Sequence, residues 1–260
     1  MKAFLRLLLL VVLSGLSLQL YFVGRIALMA ALDPESTAFE RSAVYNVFTT
    51  TGSLKWRQQW VPYESISDNL KRAVIASEDA SFLEHDGVDI EALEKAWDKN
   101  AKAEQRAQQS IKKPNAGLNA NSSASSSATS SARSGKSPKI MGGSTITQQL
   151  AKNLFLSGER TLLRKGQELL FTLLLERLLD KQRILEIYLN SVEWGEGIFG
   201  AEAAAQHYFR KSAEKLSAYE AARLAVMLPR PKYFETRPQS GYLSSRAGTI
   251  VARMGGVELP

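Results

Sequence analysis

Residues 141–153, MGGSTITQQLAKN, combine a flexible polar entry with the start of a helix. Two adjacent glycines let the backbone approach a ligand closely, and the serine, threonine and glutamine residues that follow offer hydroxyl and amide groups. Ile146 and Leu150 then stand at helical spacing and mark a buried side, which leaves the polar residues near the N-terminal end of a helix, where anions bind well. A plain helix cap at Ser144 or Thr145 explains the same residues equally well.

Upstream, residues 78–89, EDASFLEHDGVD, begin with two adjacent acids, Glu78 and Asp79. The segment before them has a capping start and helical apolar spacing, which predicts a helix that ends at these acids. The negative end of a helix dipole disfavours carboxylates, so the pair needs another reason to be there, with a solvated surface acid as the plain alternative. The histidines His85 and His207 are not spaced as a zinc-binding pair, and we expect His85 to make structural hydrogen bonds.

Three further segments lie downstream. Residues 164–168, RKGQE, place Arg164 and Glu168 on one face of a helix, where such a pair is ordinarily an ion pair. Residues 181–190, KQRILEIYLN, predict a leucine-rich helix that belongs mostly to the core. Residues 194–200, WGEGIFG, form a glycine-broken aromatic loop that suits either the core or contact with a sugar or a lipid tail.

The pattern of the remaining chain indicates the fold class. Residues 33–62 contain strand-favouring residues broken by a glycine and predict a short hairpin. Helices dominate the C-terminal half: residues 162–190 predict central core helices broken near Asp180, and Ser217 with Glu220 predicts a capping box. The sequence has neither a repeat nor an alternation of strands and helices, which argues against a solenoid or a nucleotide-binding α/β sheet. The prediction is a mainly α fold.

Composition adds two limits and one unusual segment. The 260 residues are 45% hydrophobic, which is enough for one sizeable core plus an appendage. Cysteine is absent, so neither a disulfide nor a thiolate metal site can form. At about 100–139 the chain becomes low in complexity and rich in serine, and it cannot bury enough apolar surface to offset its ordering entropy. We therefore predict a disordered Ser-rich insertion there.

The N-terminal segment, residues 1–32, predicts one transmembrane helix and a juxtamembrane stretch. Residues 4–23 are almost continuously apolar and long enough to span a bilayer, and the run exceeds the apolar part of a cleaved signal peptide, which is the alternative. Lys2 and Arg6 outnumber the single arginine beyond the span, so we expect the N-terminus inside and residues 33–260 outside. The formal charge of +7 then suits an anionic membrane or a pyrophosphate better than a nucleic acid.

In their order, EDASFLEHDGVD, GGSTITQQLAKN, RKGQE and KQRILEIYLN resemble the motifs of the peptidoglycan glycosyltransferases, the sugar-polymerising module of bifunctional penicillin-binding proteins, and above all its single-domain members. The resemblance covers roughly residues 65–231 and implies a lysozyme-like helical glycosyltransferase body with a smaller membrane-proximal lobe. It implies polymerisation of lipid II with inversion at the anomeric carbon and release of polyprenyl pyrophosphate, on the periplasmic side of the bacterial inner membrane. The Ser-rich insertion departs from the family, which usually has a shorter connection there.

The same resemblance implies roles for single residues. Glu78 would be the general base that takes a proton from the attacking sugar 4-hydroxyl, and Glu168 the second carboxylate, which positions the reacting groups or steadies positive charge at the anomeric centre. Arg164, Lys165 and Lys152 would face the departing pyrophosphate. The implied substrate-binding residues are Asp79, Ser144, Thr145, Gln148, Gln149, Lys152, Arg164, Lys165, Glu186, Tyr188 and Asn190.

The sequence requires no cofactor, although Mg²⁺ carried by the substrate pyrophosphate is compatible with it. The expected partners are lipid II, the growing glycan strand and membrane lipid, with proteins of cell-wall synthesis or division as further candidates and no nucleic acid. A lysozyme-like muramidase that cuts glycan with water would use the same two acids. A non-catalytic membrane tether would be marked by loss of Glu78 or Glu168, and both are present.

Overall fold

The computed structural model describes residues 1–112, 143–156 and 161–260, in two compact units. The first unit, Met1–Val88 with Ser144–Pro260, contains α1 (Lys2–Leu28), α2 (Ala38–Thr51), β1 (Arg57–Gln58), α3 (Asp68–Glu78), α5 (Ile146–Phe155), α6 (Leu162–Leu178), α7 (Lys181–Ser191), β2 (Glu193–Gly195), β3 (Ile198–Phe199), α8 (Ala201–Phe209), α9 (Ala218–Met227), α10 (Pro231–Glu235) and α11 (Gly241–Met254). The second unit, Asp89–Gly143, contains α4 (Ile90–Lys112). The predicted mainly α fold is confirmed.

Helix α1 has the length and hydropathy of a membrane span. Its mean hydropathy reaches 2.1 over a window of 18 residues, and none of that window is buried inside the protein. The C-terminal turns of α1 pack onto the body instead. The ring centroid of Phe22 lies 4.9 Å from that of Phe171 on α6 and 5.6 Å from that of Phe155 on α5, and Ile26 is fully buried. The apolar helix is therefore joined to the body through its C-terminal end.

Helix α2 occupies residues for which the sequence predicted a hairpin, so that prediction is wrong. Thr37 and Glu40 form a capping box in which the Thr37 hydroxyl accepts the backbone N–H of Glu40 at 3.0 Å, and a carboxylate oxygen of Glu40 accepts the N–H of Thr37 at 2.8 Å. Gly52 ends the helix in the left-handed conformation, at φ 68°. Thr50 and Thr51 donate their hydroxyls to carbonyls one turn earlier. These local bonds outweigh the strand propensity of β-branched residues.

The core places α3 against α9 and α11, and α5 against α6 and α7. Asp180 caps α7 at the predicted break, and the predicted capping box of Ser217 and Glu220 opens α9. Helix α7 is buried along most of its length, as predicted, but α6 leaves a row of leucines exposed. They are Leu163, Leu169, Leu170 and Leu173. The prediction of a central core helix is therefore wrong for that face of α6.

The aromatic loop after α7 belongs to the core. Strand β3 pairs in parallel with β1 and antiparallel with β2, which gives a three-stranded sheet in the order β1-β3-β2. Trp194 and Phe199 are both 0% exposed, and the indole N–H of Trp194 donates to the Leu224 carbonyl at 3.1 Å. Gly197 adopts a φ of 72°, which a residue with a side chain rarely does. Of the two interpretations of this loop, core packing is correct and contact with a sugar or a lipid tail is not supported.

In the second unit, α4 continues through Asn100 to Lys112, where the sequence predicted disorder. Residues 100–112, NAKAEQRAQQSIK, are rich in alanine, lysine, arginine and glutamine, all strong helix formers, and this explains the difference. The remainder of the predicted insertion, residues 113–139, lies outside the described residues.

Candidate active site

Glu78 is the last residue of α3 and is half-buried. Ser67 begins this helix by accepting the backbone N–H of Leu70 at 3.2 Å. One carboxylate oxygen of Glu78 accepts the side-chain amide N–H of Gln149 at 3.0 Å, and the other lies 3.4 Å from the Ser77 hydroxyl. Burial raises the pKa of Glu78 above its ordinary value, and these two hydrogen bonds offset the shift in part. This carboxyl group thus holds its proton more tightly than a surface glutamate does.

Asp79 fixes the N-terminus of α5. One of its oxygens accepts the backbone N–H of Ile146 at 3.0 Å, and the other lies 2.8 Å from Nε2 of His85. The N–H of Gly87 donates to Nδ1 of His85, so a neutral ring carries its hydrogen on Nε2 and donates it to Asp79. Burial raises the pKa of Asp79, and the His85 and Ile146 hydrogen bonds oppose the shift. The structural role predicted for His85 is confirmed. Both carboxylate oxygens of Asp79 are hydrogen-bonded to protein groups.

The glycine-rich stretch enters α5 through a capping box. The Thr145 hydroxyl accepts the N–H of Gln148 at 3.1 Å, and the side-chain carbonyl of Gln148 accepts the N–H of Thr145 at 3.2 Å. The same hydroxyl donates to the Gly87 carbonyl at 2.6 Å. Both side chains are buried, so helix capping, the plain interpretation, accounts for them, whereas Ser144 and Lys152 are exposed.

The loop between Asp79 and Val88 is held against α6 and α7 by residues that sequence reasoning missed. A Cβ on Gly87 would lie 2.6 Å from a methyl carbon of Thr172, so the loop backbone approaches α6 closely. Lys181 donates to the His85 carbonyl at 2.6 Å and pairs with Glu176 at 2.9 Å. Lys181 is the first residue of KQRILEIYLN, but only its tertiary contacts reveal what it does.

Arg164 and Glu168 lie on one face of α6, as their spacing predicted, and Lys165 reaches Glu168 from three residues before it. Glu168 is 4% exposed, is paired with Lys165, and has one oxygen 3.6 Å from Nη1 of Arg164. Among the described residues, the buried Nε of Arg164 has no hydrogen-bond partner. The Thr172 hydroxyl donates to the Glu168 carbonyl at 2.8 Å, and Thr172 is also the residue that meets Gly87. Glu168 thus lies one helical turn from Thr172, where α6 contacts the loop that follows Glu78.

The three predicted residues of α7 each hydrogen-bond to other protein groups. Glu186 accepts from Arg183 at 2.9 Å. The side-chain amide of Asn190 donates to the Val61 carbonyl at 2.9 Å and accepts the Val61 N–H at 3.0 Å. Tyr188 donates its hydroxyl to an α5 side chain at 3.0 Å. Because Tyr188 and Asn190 are both 0% exposed, their predicted direct contact with substrate is not supported.

Comparisons with known proteins show the family of this chain. The family model described as "Transglycosylase" matches residues 45–110 and 114–255. Two curated relatives named "Biosynthetic peptidoglycan transglycosylase", from Burkholderia thailandensis and Burkholderia pseudomallei, are 50% and 49% identical over 95% of this chain and 84% of their own. One of the same name from Herminiimonas arsenicoxydans is 47% identical over 96% of this chain and 94% of its own. The helical body is the lysozyme-like fold of that domain, and the chain belongs to the transglycosylase family.

Proposed function

We propose that this protein is a membrane-anchored peptidoglycan glycosyltransferase that polymerises lipid II. The observation that carries the proposal is the setting of Glu78, a half-buried carboxylate bonded to Gln149 from the glycine-rich stretch. The names of the relatives supply the substrate class, since they are biosynthetic peptidoglycan transglycosylases. The reaction would join the sugar 4-hydroxyl of one lipid II to the anomeric carbon of another, invert that centre and release polyprenyl pyrophosphate.

Glu78 acts as the general base. A base works best when its pKa lies near the working pH, and burial raises the pKa of Glu78 in that direction. Gln149 donates to the carboxylate and so keeps part of the ionised form available to accept a proton. The proton of the attacking 4-hydroxyl passes to Glu78 as the oxygen bonds to the anomeric carbon.

The cluster on α6 faces the leaving group. Pyrophosphate gains negative charge as the anomeric bond breaks, and charge-assisted hydrogen bonds from cations stabilise that charge. Arg164 brings a guanidinium group whose Nε has no hydrogen-bond partner among the described residues, and Lys165 is exposed. Glu168 pairs with both cations and positions them. Exposed Lys152 on α5 is a further cation that can stabilise the negative charge of the pyrophosphate. Mg²⁺ carried by the pyrophosphate stays a prediction.

The membrane placement rests on α1 and α6. Phe22 belongs to the apolar run of α1 and contacts Phe171 on the buried side of α6, which supports placing α6 beside the membrane. The exposed leucines of α6 can then enter the interface, where amphipathic helices bind through apolar side chains. We place the N-terminus in the cytoplasm, because Lys2 and Arg6 lie at that end of the span, and the body in the periplasm.

Product analysis with the full chain in detergent tests this proposal. Wild-type protein incubated with lipid II should give long glycan and polyprenyl pyrophosphate. Glu78→Gln should abolish polymer while the protein remains folded, and Glu84→Gln, which changes an exposed glutamate on the following loop, should not. Shortening of preformed glycan would show a muramidase, and no turnover by wild type would show a tether. Polymer made by Glu78→Gln at the wild-type rate would remove Glu78 from its role.

A further inference from the structure

We propose that Tyr188 is a positioning residue for the reaction, because its buried hydroxyl holds the side-chain amide of Gln149 in the orientation that directs the N–H toward Glu78. The three side chains form one chain of hydrogen bonds. The Tyr188 hydroxyl donates to Oε1 of Gln149 at 3.0 Å, and Nε2 of Gln149 donates to Oε2 of Glu78 at 3.0 Å. The inference rests on the proposed role of Glu78 as the base.

Tyr188 acts on Glu78 without touching substrate. It lies in α7 between Ile187 and Leu189, and all three residues are 0% exposed. Burial, with Glu78 and Asp79 nearby, raises the pKa of the Tyr188 hydroxyl well above its ordinary value. The hydroxyl therefore keeps its proton at any pH at which the protein works, and it remains a hydrogen-bond donor.

The direction of the amide depends on where the Tyr188 proton can go. Gln149 Oε1 is the one hydrogen-bond partner that the described part of the chain gives to this hydroxyl. If the amide turned over, its carbonyl would face Glu78, which only a protonated carboxyl group can satisfy. The Tyr188 hydroxyl, which is 0% exposed, would then lose the acceptor of its proton, and an unsatisfied buried donor is costly. Tyr188 thus favours the amide orientation that stabilises ionised Glu78.

Other charges that act on Glu78 do not depend on Tyr188. Asp79 raises the pKa of Glu78 from the next position in the chain, and Arg246 on α11 lowers it. The Ser77 hydroxyl lies beside the same carboxylate. A Tyr188→Phe substitution leaves all three groups in place and removes only the hydroxyl. A change in the titration of Glu78 in this variant therefore reports on the hydrogen-bond chain.

The test is the pH dependence of lipid II polymerisation by the full chain in detergent. Tyr188→Phe should move the acid limb of kcat to higher pH by about one unit, which is a roughly tenfold lower rate on that limb. The plateau rate and KM should stay close to wild type, because Tyr188 does not reach substrate. Gln149→Leu should move the limb at least as far, and the double variant no further than Gln149→Leu, since Tyr188 acts through Gln149.

Two controls separate the outcomes. Tyr208→Phe removes the hydroxyl of a different tyrosine, which is partly buried and donates to the Trp194 carbonyl at 2.8 Å, and it should leave the pH profile unchanged. Activity in Glu78→Gln would overturn the proposed base and this inference together. An inactive Glu78→Gln with a wild-type profile in Tyr188→Phe would overturn only the role of Tyr188. A shift by Tyr188→Phe that persists in full in the Gln149→Leu background would do the same.

Discussion

Glu40 should make the stability of this protein depend on pH, and Glu40→Gln should remove that dependence. The residue is 1% exposed, near the start of α2. Its carboxylate accepts the N–H of Thr37 at 2.8 Å and the side-chain amide of Gln58 at 3.2 Å. Burial raises the pKa of Glu40 from 4.5 to about 7, against the lowering effects of Thr37, Arg41 and Gln58.

Whether stability rises or falls with pH depends on which state, folded or unfolded, binds the Glu40 proton more tightly. The folded pKa is the higher one, so the folded protein binds a proton that the unfolded chain has already released between pH 4.5 and about 7. The contribution of Glu40 to the free energy of unfolding therefore falls as pH rises through that range and is constant outside it. A difference of about 2.5 pKa units at about 1.36 kcal/mol each gives a loss of about 3 kcal/mol.

Denaturant unfolding in detergent, followed by tryptophan fluorescence between pH 4.5 and 8, measures this effect. Glu40→Gln cannot ionise, so its free energy of unfolding relative to wild type should increase by about 3 kcal/mol from the acid to the neutral end. Glu35→Gln, a change at a nearby exposed glutamate, should run parallel to wild type. A difference between Glu40→Gln and wild type that is independent of pH, or that shrinks as pH rises, would refute the assignment.

Further substitutions test the packing around the site by thermal or denaturant unfolding. Gly87→Ala should lower stability by more than the about 1–2 kcal/mol cost of a left-handed conformation, because its φ is 84° and its Cβ would lie 2.6 Å from a methyl carbon of α6. Gly166→Ala, whose Cβ would have no atom of the described residues within 4 Å, should raise stability by about 0.5–1 kcal/mol, and a loss of stability would contradict this reasoning. Lys181→Met should cost about 3–5 kcal/mol by leaving the buried Glu176 carboxylate without its cation, and Glu176→Gln should recover part of that loss. Asn190→Ala should cost about 1–3 kcal/mol and speed amide exchange at Val61, whose N–H it accepts, and unchanged exchange there would contradict a stabilising role for these two hydrogen bonds.

Local signals in the sequence correctly predicted the starts of α7 and α9, both of which carry side-chain caps. Asp180 and the Ser217–Glu220 box were predicted as boundaries, and both are where the helices begin. The hairpin prediction in residues 33–62 was wrong, because strand propensity was weighed without the capping box of Thr37 and Glu40 or the left-handed stop at Gly52. Both cap signals stood in the sequence, and giving them more weight would have predicted α2.

The candidate site also has features that the sequence predicted and features that only the structure shows. Sequence spacing put Arg164 and Glu168 on one helical face, and the order of the motifs indicated the family. Spacing could not separate Asn190 and Tyr188, which are buried, from Lys152, which is exposed, because all are polar residues in helices. That distinction depends on which neighbours each helix face meets.

The sequence by itself determined the apolar span, the capped helices and the family, because these depend on residues close together in the chain or on the order of short motifs. Only the tertiary structure decided that Tyr188 and Gln149 bond in series to Glu78, and that Asp79 fixes the start of α5. These contacts join residues far apart in the chain. Burial raises the pKa of Glu78 and Asp79 and limits which groups can hydrogen-bond to them. Helical periodicity carries no information on either effect.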